Sequence, residues 1–463
     1  MSTPTIADGR GTRRMPESYD LIVIGTGAGG SGVATRCRKA GWRVVIVDDE
    51  PYGGTCALRG CDPKRVLIGA AEIVASQRRM RGHGVARETS IDWPELMAFK
   101  ETFIEPVPEK SERGLQQLGV ETLHGVARFV APDRLVVKGR EIMSRYFVVA
   151  TGAIPRPLEI PGAELVTTST GFLELHQLPR RIGFIGAGYV SLELAHLARQ
   201  AGATVSIFGR SKPLPHFDEA LVDRLMAHTV SCGIGVHLGV TVSSVERTSS
   251  GLRIHVEGDE SLKEEIDLVV HGAGRVPSTA TLDVERANVR TDNRGGIEVN
   301  EYLQSVTNEQ VYAVGDVTLP PGKLPLTPVA AHEGAIVASN LLRGNSKRPN
   351  YKGTPSVVFT LPPLASVGLT EGAARDAGMD VQVSSGDTSD WFSNRRTRQP
   401  VGMFKTIIDR STDTLVGAHL LGAHADEIID LFALAIRCGL PARELKQAIY
   451  SYPTSSSDLP YML

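Results

Sequence analysis

The chain has 463 residues, 41% of them apolar and 22% charged, and its formal net charge is −2. At ~150 residues per domain that length predicts about three domains, and the near-neutral balance argues against nucleic acid or an anionic membrane as the main partner. Glycine is in surplus, at 48 residues, while the five cysteines are too few and too odd in number for a secreted disulfide scaffold.

Residues 1–18 are polar, with Arg10, Arg13 and Arg14 and no apolar stretch, so no secretory signal is expected. They read as a disordered leader, with Met15 as an alternative start. No run of 18 apolar residues occurs, and the default location is cytoplasmic. The first predicted strand, Leu21–Ile24, enters Gly25-Thr26-Gly27-Ala28-Gly29-Gly30. A helix follows to about Ala40, then a strand from Arg43 to Val47. This is a βαβ unit. The segment Val148-Val149-Ala150-Thr151-Gly152-Ala153 is followed by Pro155, Pro157 and Pro161, a proline-rich domain junction. A second βαβ unit spans the strand Arg181–Ile185, the turn Gly186-Ala187-Gly188, a helix from Ser191 to Ala201 and the strand Thr204–Phe208. Residues beyond about 346 alternate strands and helices without another glycine turn. The fold class is α/β: two Rossmann-like dinucleotide-binding domains and a C-terminal α+β domain.

In G-x-G-x-x-G the first glycine makes the turn, the second admits a pyrophosphate and the third allows close helix packing. Gly25, Gly27 and Gly30 fit in full; Gly186, Gly188 and Ser191 fit with a small third residue. An acid about 20 positions on binds a ribose hydroxyl. Asp48 stands there in the first unit. The same offset in the second lands on Gly209, followed by Arg210, a cation suited to a 2′-phosphate, with Lys212 and His216 as possible helpers. The first site therefore suits FAD or NAD, and the second NADP.

Cys56 and Cys61 stand in Gly53-Gly54-Thr55-Cys56-Ala57-Leu58-Arg59-Gly60-Cys61-Asp62-Pro63-Lys64. Pro63 suits the first turn of a helix, whose N-terminus would lower the pKa of a nearby thiol. Five residues of ideal helix rise ~7.5 Å, too far for a disulfide. A bridge would need a distorted turn, which Gly60 allows. Spacing alone leaves a bridged pair and two unrelated thiols equally open. Cys37, Cys232 and Cys438 read as inert packing residues.

The segment from Gly53 to Lys64, following an FAD-type βαβ unit, closely resembles the flavoprotein disulfide reductases (pyridine nucleotide-disulfide oxidoreductases of class I). That family includes glutathione reductase, dihydrolipoamide dehydrogenase and mercuric reductase, and the resemblance covers nearly the whole chain from Asp20. Ala150-Thr151-Gly152, Gly274-Arg275-Val276-Pro277 and Ala313-Val314-Gly315-Asp316 resemble its further nucleotide motifs. The resemblance implies an FAD-binding domain over 19–155 to which the chain returns at 276–345. It implies an NAD(P)H-binding domain over 156–275 and a dimerisation domain over 346–463. It also implies a homodimer with composite sites, carrying FAD and NADPH, with NADH as an alternative. Residue by residue, Tyr189 matches the tyrosine gating the nicotinamide. Glu193 matches the glutamate paired with a lysine by the flavin, here Lys64. Asp316 matches the flavin-binding aspartate, and Arg210 an NADPH-binding arginine of the glutathione reductase branch. The implied relay passes hydride from NADPH to flavin and then to a Cys56–Cys61 disulfide. Cys61 is the thiolate against the flavin, and Cys56 the interchange thiol. Thr327-Pro328 opens a helix whose N-terminus would face the reduced flavin, and Thr327 is also a natural N-cap.

The chain departs from the family at its end. The disulfide-reducing members carry His-Pro-Thr-x-x-Glu; here Tyr452 replaces the histidine and Ser457 the glutamate. A phenol of reference pKa ≈ 10 is a poor base near neutrality, and losing a positioned acid/base costs ~10²–10⁴-fold in its step. Mercuric reductase carries a tyrosine near that place, but also a C-terminal cysteine pair that Asp458 to Leu463 does not provide. The expected acceptor is a small molecule: a small disulfide, a metal or metalloid ion, a quinone or a reactive oxidant. No resident metal is expected. Two alternatives are a flavin-only quinone reductase or diaphorase, and a non-catalytic redox or nucleotide sensor.

Overall fold

A computed structural model describes residues 17–258 and 264–463. Most of the expected leader lies outside the described residues. Its last two members, Glu17 and Ser18, are instead strand residues, paired with Ile142 and Met143.

The first sheet is built around the strand Glu17–Ile24, which lies parallel to Val44–Asp48 on one side and to Arg140–Val149 on the other. Glu121–His124 extends it at one edge. The late strand Val311–Ala313 pairs parallel with Arg140–Val149, so the chain returns to this sheet after leaving it. Leu21 and Val23 pack against Val33, Ala34, Val337 and Ala338, while Ile22 and Ile24 pack against Phe129, Leu135 and Phe147. Helix or sheet covers both faces, which is why the strand reads as an unbroken apolar run. The covering helices Ala28–Lys39 and Thr327–Arg343 pass very close. A Cβ on Gly334 would lie 2.6 Å from the Gly29 carbonyl oxygen.

The second sheet is wholly parallel, in the order Ile234–Leu238, Thr204–Gly209, Arg181–Ile185, Leu268–His271 and Val166–Thr168. Between the two sheets, Ala153–Pro155 runs antiparallel to Arg275–Pro277. The outgoing and returning chain therefore clasp each other where the proline-rich stretch begins. The third sheet is five-stranded and antiparallel, from Pro355–Val358 to Val381–Asp387. Ile429, Phe432 and Ile436 of the helix Ala425–Cys438 cover it.

One apolar core joins the cysteine-bearing helix to the second and third sheets. Leu67, Ile68 and Ala71 of the helix Cys61–Met80 meet Phe184 of the second sheet, Leu192 and Leu197 of the helix Tyr189–Gln200 that packs on it, and Val358 and Leu364 of the third sheet. The cysteine-bearing helix is therefore fixed at the centre of the molecule. Among the described residues no helix is long and apolar enough to cross a membrane.

Candidate active site

Gly25 has φ +104°, and a Cβ there would lie 2.3 Å from the Ala150 carbonyl oxygen. That close pass brings the turn against Thr151 and Gly152. The Thr151 hydroxyl donates to Ser278 O at 2.6 Å, which ties this corner to the returning chain. Beside Gly27 there is open space, and a Cβ on Gly54 would lie 2.5 Å from Gly27 Cα. No side chain caps the helix that starts at Ala28. Uncapped N–H groups beside an open glycine fit a pyrophosphate. Gly30 has no room for a side chain, since its Cβ would meet Gly25 O at 2.1 Å. Asp48 ends the second strand as expected, but its carboxylate has protein partners. Oδ2 accepts from Thr26 N–H at 2.7 Å and from the Thr26 hydroxyl at 2.6 Å, and Oδ1 from Glu50 N–H at 3.0 Å.

The second turn repeats the shape. Gly186 lies against Ala273, and Gly188 is loosely packed, a Cβ there lying 3.6 Å from Gly272 O. The helix Tyr189–Gln200 likewise starts without a side-chain cap. Gly209 is buried, and a Cβ there would lie 2.8 Å from the Ala187 Cβ. The ribose acid is missing where no side chain fits. Arg210 is exposed and has no hydrogen-bond or ion-pair partner among the described residues. Lys212, expected as its helper, is paired with Glu219, and His216 is exposed. Tyr189 stands 45% exposed over the site. Arg275, next to Gly274, donates to Ala153 O and so closes the clasp between the sheets.

The cysteine segment is a broken helix. Gly54–Arg59 forms one short helix with Thr55 exposed; Gly60 interrupts it, and Cys61 starts the next. A Cβ at Gly60 would lie 2.9 Å from Thr55 O. The break at Gly60 turns the chain so that the two thiols are close enough to shift each other's titration. Both are thiols in this structure. The hydrogen bond from Cys56 lowers the Cys61 thiol to about 6, against the opposing effect of burial; the Thr327 hydroxyl and the Lys64 charge add to the lowering. The same hydrogen bond and burial push the Cys56 thiol up. The Cys61 Sγ lies 3.6 Å from Thr327 Oγ1. The helix N-cap is Leu326 rather than Thr327, so the threonine hydroxyl is free to face the sulfur.

Lys64 follows one turn later. Its Nζ donates to Glu193 Oε2 at 2.6 Å, and the Glu193 side chain is only 1% exposed. The other carboxylate oxygen accepts from Phe359 N–H at 2.8 Å. The Phe359 ring lies 5.3 Å from Lys64 Nζ and 4.8 Å from the Arg65 guanidinium carbon. Phe359, just past the strand Pro355–Val358 of the third sheet, therefore completes the pairing of Lys64 and Glu193, a role that sequence reasoning missed. Asp316 lies in the turn Gly315–Val317. Burial raises its pKa, opposed by the charges of Lys323 and Arg275.

Tyr452 is not gathered into this cluster by the single chain: it is 82% exposed. Ser457 closes a capping box with Thr454. Asp458 accepts from Ser393. Of the other cysteines, Cys37 is a core residue, its thiol pushed up to about 12 by burial, and Cys232 is partly buried. Cys438 is exposed on the single chain, so it does not pack as expected.

Fold and site together match a known family. Residues 19–334 match the pyridine nucleotide-disulphide oxidoreductase family, and 354–462 match that family's dimerisation domain. The chain belongs to this family and is an NAD(P)H-dependent flavoprotein oxidoreductase. It is 33% identical over 452 residues to a mercuric reductase of Staphylococcus aureus, covering 95% of this chain and 81% of that protein. It is also 33% identical over 442 residues to a glutathione reductase of Burkholderia cepacia, covering 95% and 97%. Among solved structures it resembles the HOCl-induced flavoprotein disulfide reductase RclA from Escherichia coli. The TM-score is 0.85 at 28% identity, covering 96% of this chain and 99% of that one. The family implies FAD and a nicotinamide cofactor, and both open glycine turns fit a nucleotide.

Proposed function

We propose that the chain is an NADPH-dependent FAD oxidoreductase that uses Cys56 and Cys61 as a redox dithiol. Its acceptor is proposed to be small and electrophilic, a metal ion or a reactive oxidant, rather than glutathione disulfide or lipoamide. The observation that carries this reading is the Cys61 thiol at the helix start after the break at Gly60, facing Thr327 3.6 Å away, with Cys56 on the short helix before the break.

Bound FAD would supply two-electron transfer between the nicotinamide and the dithiol. The residues of the chain do the rest. Gly27, Gly30 and Gly54 admit the pyrophosphate of FAD. Asp48, Thr151, Gly152, Asp316 and Thr327 bound its remaining parts. Gly186, Gly188, Gly274, Arg275 and Tyr189 line the nicotinamide nucleotide site, with Arg210 as the cation for a 2′-phosphate. Lys64, held by Glu193, keeps positive charge beside Cys61. Thr327 donates a hydrogen bond that stabilises the thiolate. Each turnover oxidises the Cys61 thiolate and the Cys56 thiol to a disulfide, gives two electrons to the acceptor and releases the one proton of Cys56. The disulfide is then re-reduced by two electrons that enter from NADPH. An acceptor with no thiol leaving group needs no proton delivered to sulfur, so Tyr452 can stand where a histidine shuttles protons in disulfide reduction. The dimerisation domain supports a homodimer, in which the exposed Tyr452 is proposed to reach the thiols of a second copy.

Titration with NADPH under anaerobic conditions tests the reading. A long-wavelength thiolate–flavin absorbance is expected in the wild type and not in Cys61→Ser. A lowered thiol pKa keeps the thiolate at neutral pH, so the band should fade as pH drops through about 6. A band that survives Cys61→Ser rejects the relay. Full turnover by Cys56→Ser would favour the flavin-only diaphorase instead.

A further inference from the structure

Lys323 and Glu333 are both 0% exposed at the side chain, although Lys323 lies in a Pro-Gly-rich loop that reads as solvent-facing. The three ammonium protons of Lys323 are fully used. Nζ donates to Glu333 Oε2 at 2.9 Å, to Gly315 O at 2.6 Å and to Thr318 O at 2.9 Å. Glu333 Oε2 also accepts from Gly315 N–H at 2.7 Å, and Oε1 accepts from the Tyr351 hydroxyl at 2.6 Å. A charged pair thus grips the turn Gly315–Thr318 by its N–H at one point and its carbonyls at two. Between them, Asp316 has no hydrogen-bond partner among the described residues.

The anchors come from three segments. Lys323 is in the loop after the turn. Glu333 lies on the helix Thr327–Arg343, whose first residue faces Cys61. Tyr351 is held in turn by the third sheet's helix, because Arg437 donates to Asn350 O at 2.7 Å and to Lys352 O at 3.2 Å. A buried ion pair is expensive to desolvate, and an apolar pair of similar volume generally serves stability as well or better. What an apolar pair cannot do is hold one N–H and two carbonyls of a turn in a fixed orientation.

We propose that Lys323, Glu333 and Tyr351 are positioning residues. They fix the turn at Gly315 so that the Asp316 carboxylate is presented, unpaired, to a hydroxyl of the FAD sugar chain. This rests on the reading of Asp316 as part of the FAD site, and it adds the device that aims it. The Thr327 helix is set by the same grip, so the thiol end and the sugar end of the cofactor site share one support.

The discriminating variant is K323M/E333L, which removes both charges and keeps the volume. Its FAD affinity is measured by flavin fluorescence on dilution of the holoenzyme, and its fold by far-UV circular dichroism. The expected result is a folded chain whose FAD Kd rises by about tenfold or more. Y351F, which cuts only the outer hydrogen bond, should raise the Kd by about threefold and serves as the test if the double variant does not fold. K323M/E333L that is folded and binds FAD like the wild type would overturn the inference, as would unchanged binding by Y351F. A wild-type chain that binds no FAD would overturn the cofactor reading together with it.

Discussion

The two glycine turns carry nearly the same motif and end differently. In the first, the turn residue is Thr26, and its hydroxyl and N–H hold the Asp48 carboxylate. In the second, the turn residue is Ala187, whose methyl fills the space beside Gly209. Thr with Asp, and Ala with Gly, are matched pairs within one chain. The acid of the second unit is excluded by packing, and the nearest cation, Arg210, lies exposed on the surface.

The sharpest way to break this comparison is Gly25→Ala against Gly186→Ala. Each forces a side chain onto positive φ and into backbone, 2.3 Å from Ala150 O in the first case and 2.7 Å from Ala273 Cα in the second. Gly25→Ala should purify without flavin. Gly186→Ala should keep its flavin absorbance yet fail to be reduced by NADPH. Equal loss of flavin in both would refute the assignment of one nucleotide to each turn. Next in size, Arg210→Ala should lower kcat/KM for NADPH by on the order of 10- to 100-fold, the worth of hydrogen bonds to a charged group, while NADH turnover stays put. Parallel loss with both nucleotides would remove the 2′-phosphate role. The smallest effect is expected from Asp48→Asn. It puts an amide near the Thr26 donors and should weaken FAD by roughly fivefold, measured by equilibrium fluorescence. Unchanged affinity would mean that Asp48 serves the turn alone.

The thiol segment shows how far local reading extends. The sequence placed a glycine where a helix must break if the cysteines are to meet, and the structure breaks there. It did not show which way Thr327 points. A threonine before proline reads as an N-cap, but Leu326 takes that place and leaves the hydroxyl for Cys61. Phe359, Lys323 and Glu333 gave no local signal. Each acts through partners that a loop, a helix or another sheet brings to it, such as Glu193 to Phe359 at 2.8 Å. Likewise Cys438, at the end of an amphipathic helix, reads as packing and stands exposed on the single chain.

The sequence by itself determined the repeated strand–turn–helix units, the cysteine pair and the exchange of histidine for Tyr452. Glycine geometry, apolar periodicity and thiol chemistry are local properties of neighbouring residues. Only the tertiary structure decided that the Glu193 carboxylate paired with Lys64 is nearly inaccessible and also holds Phe359 N–H, that Gly209 has no room for an acid, and that a lysine with a fully buried side chain grips the Asp316 turn. These depend on which distant groups share a low-dielectric space, where an unpaired charge is costly. Packing alone sets that company.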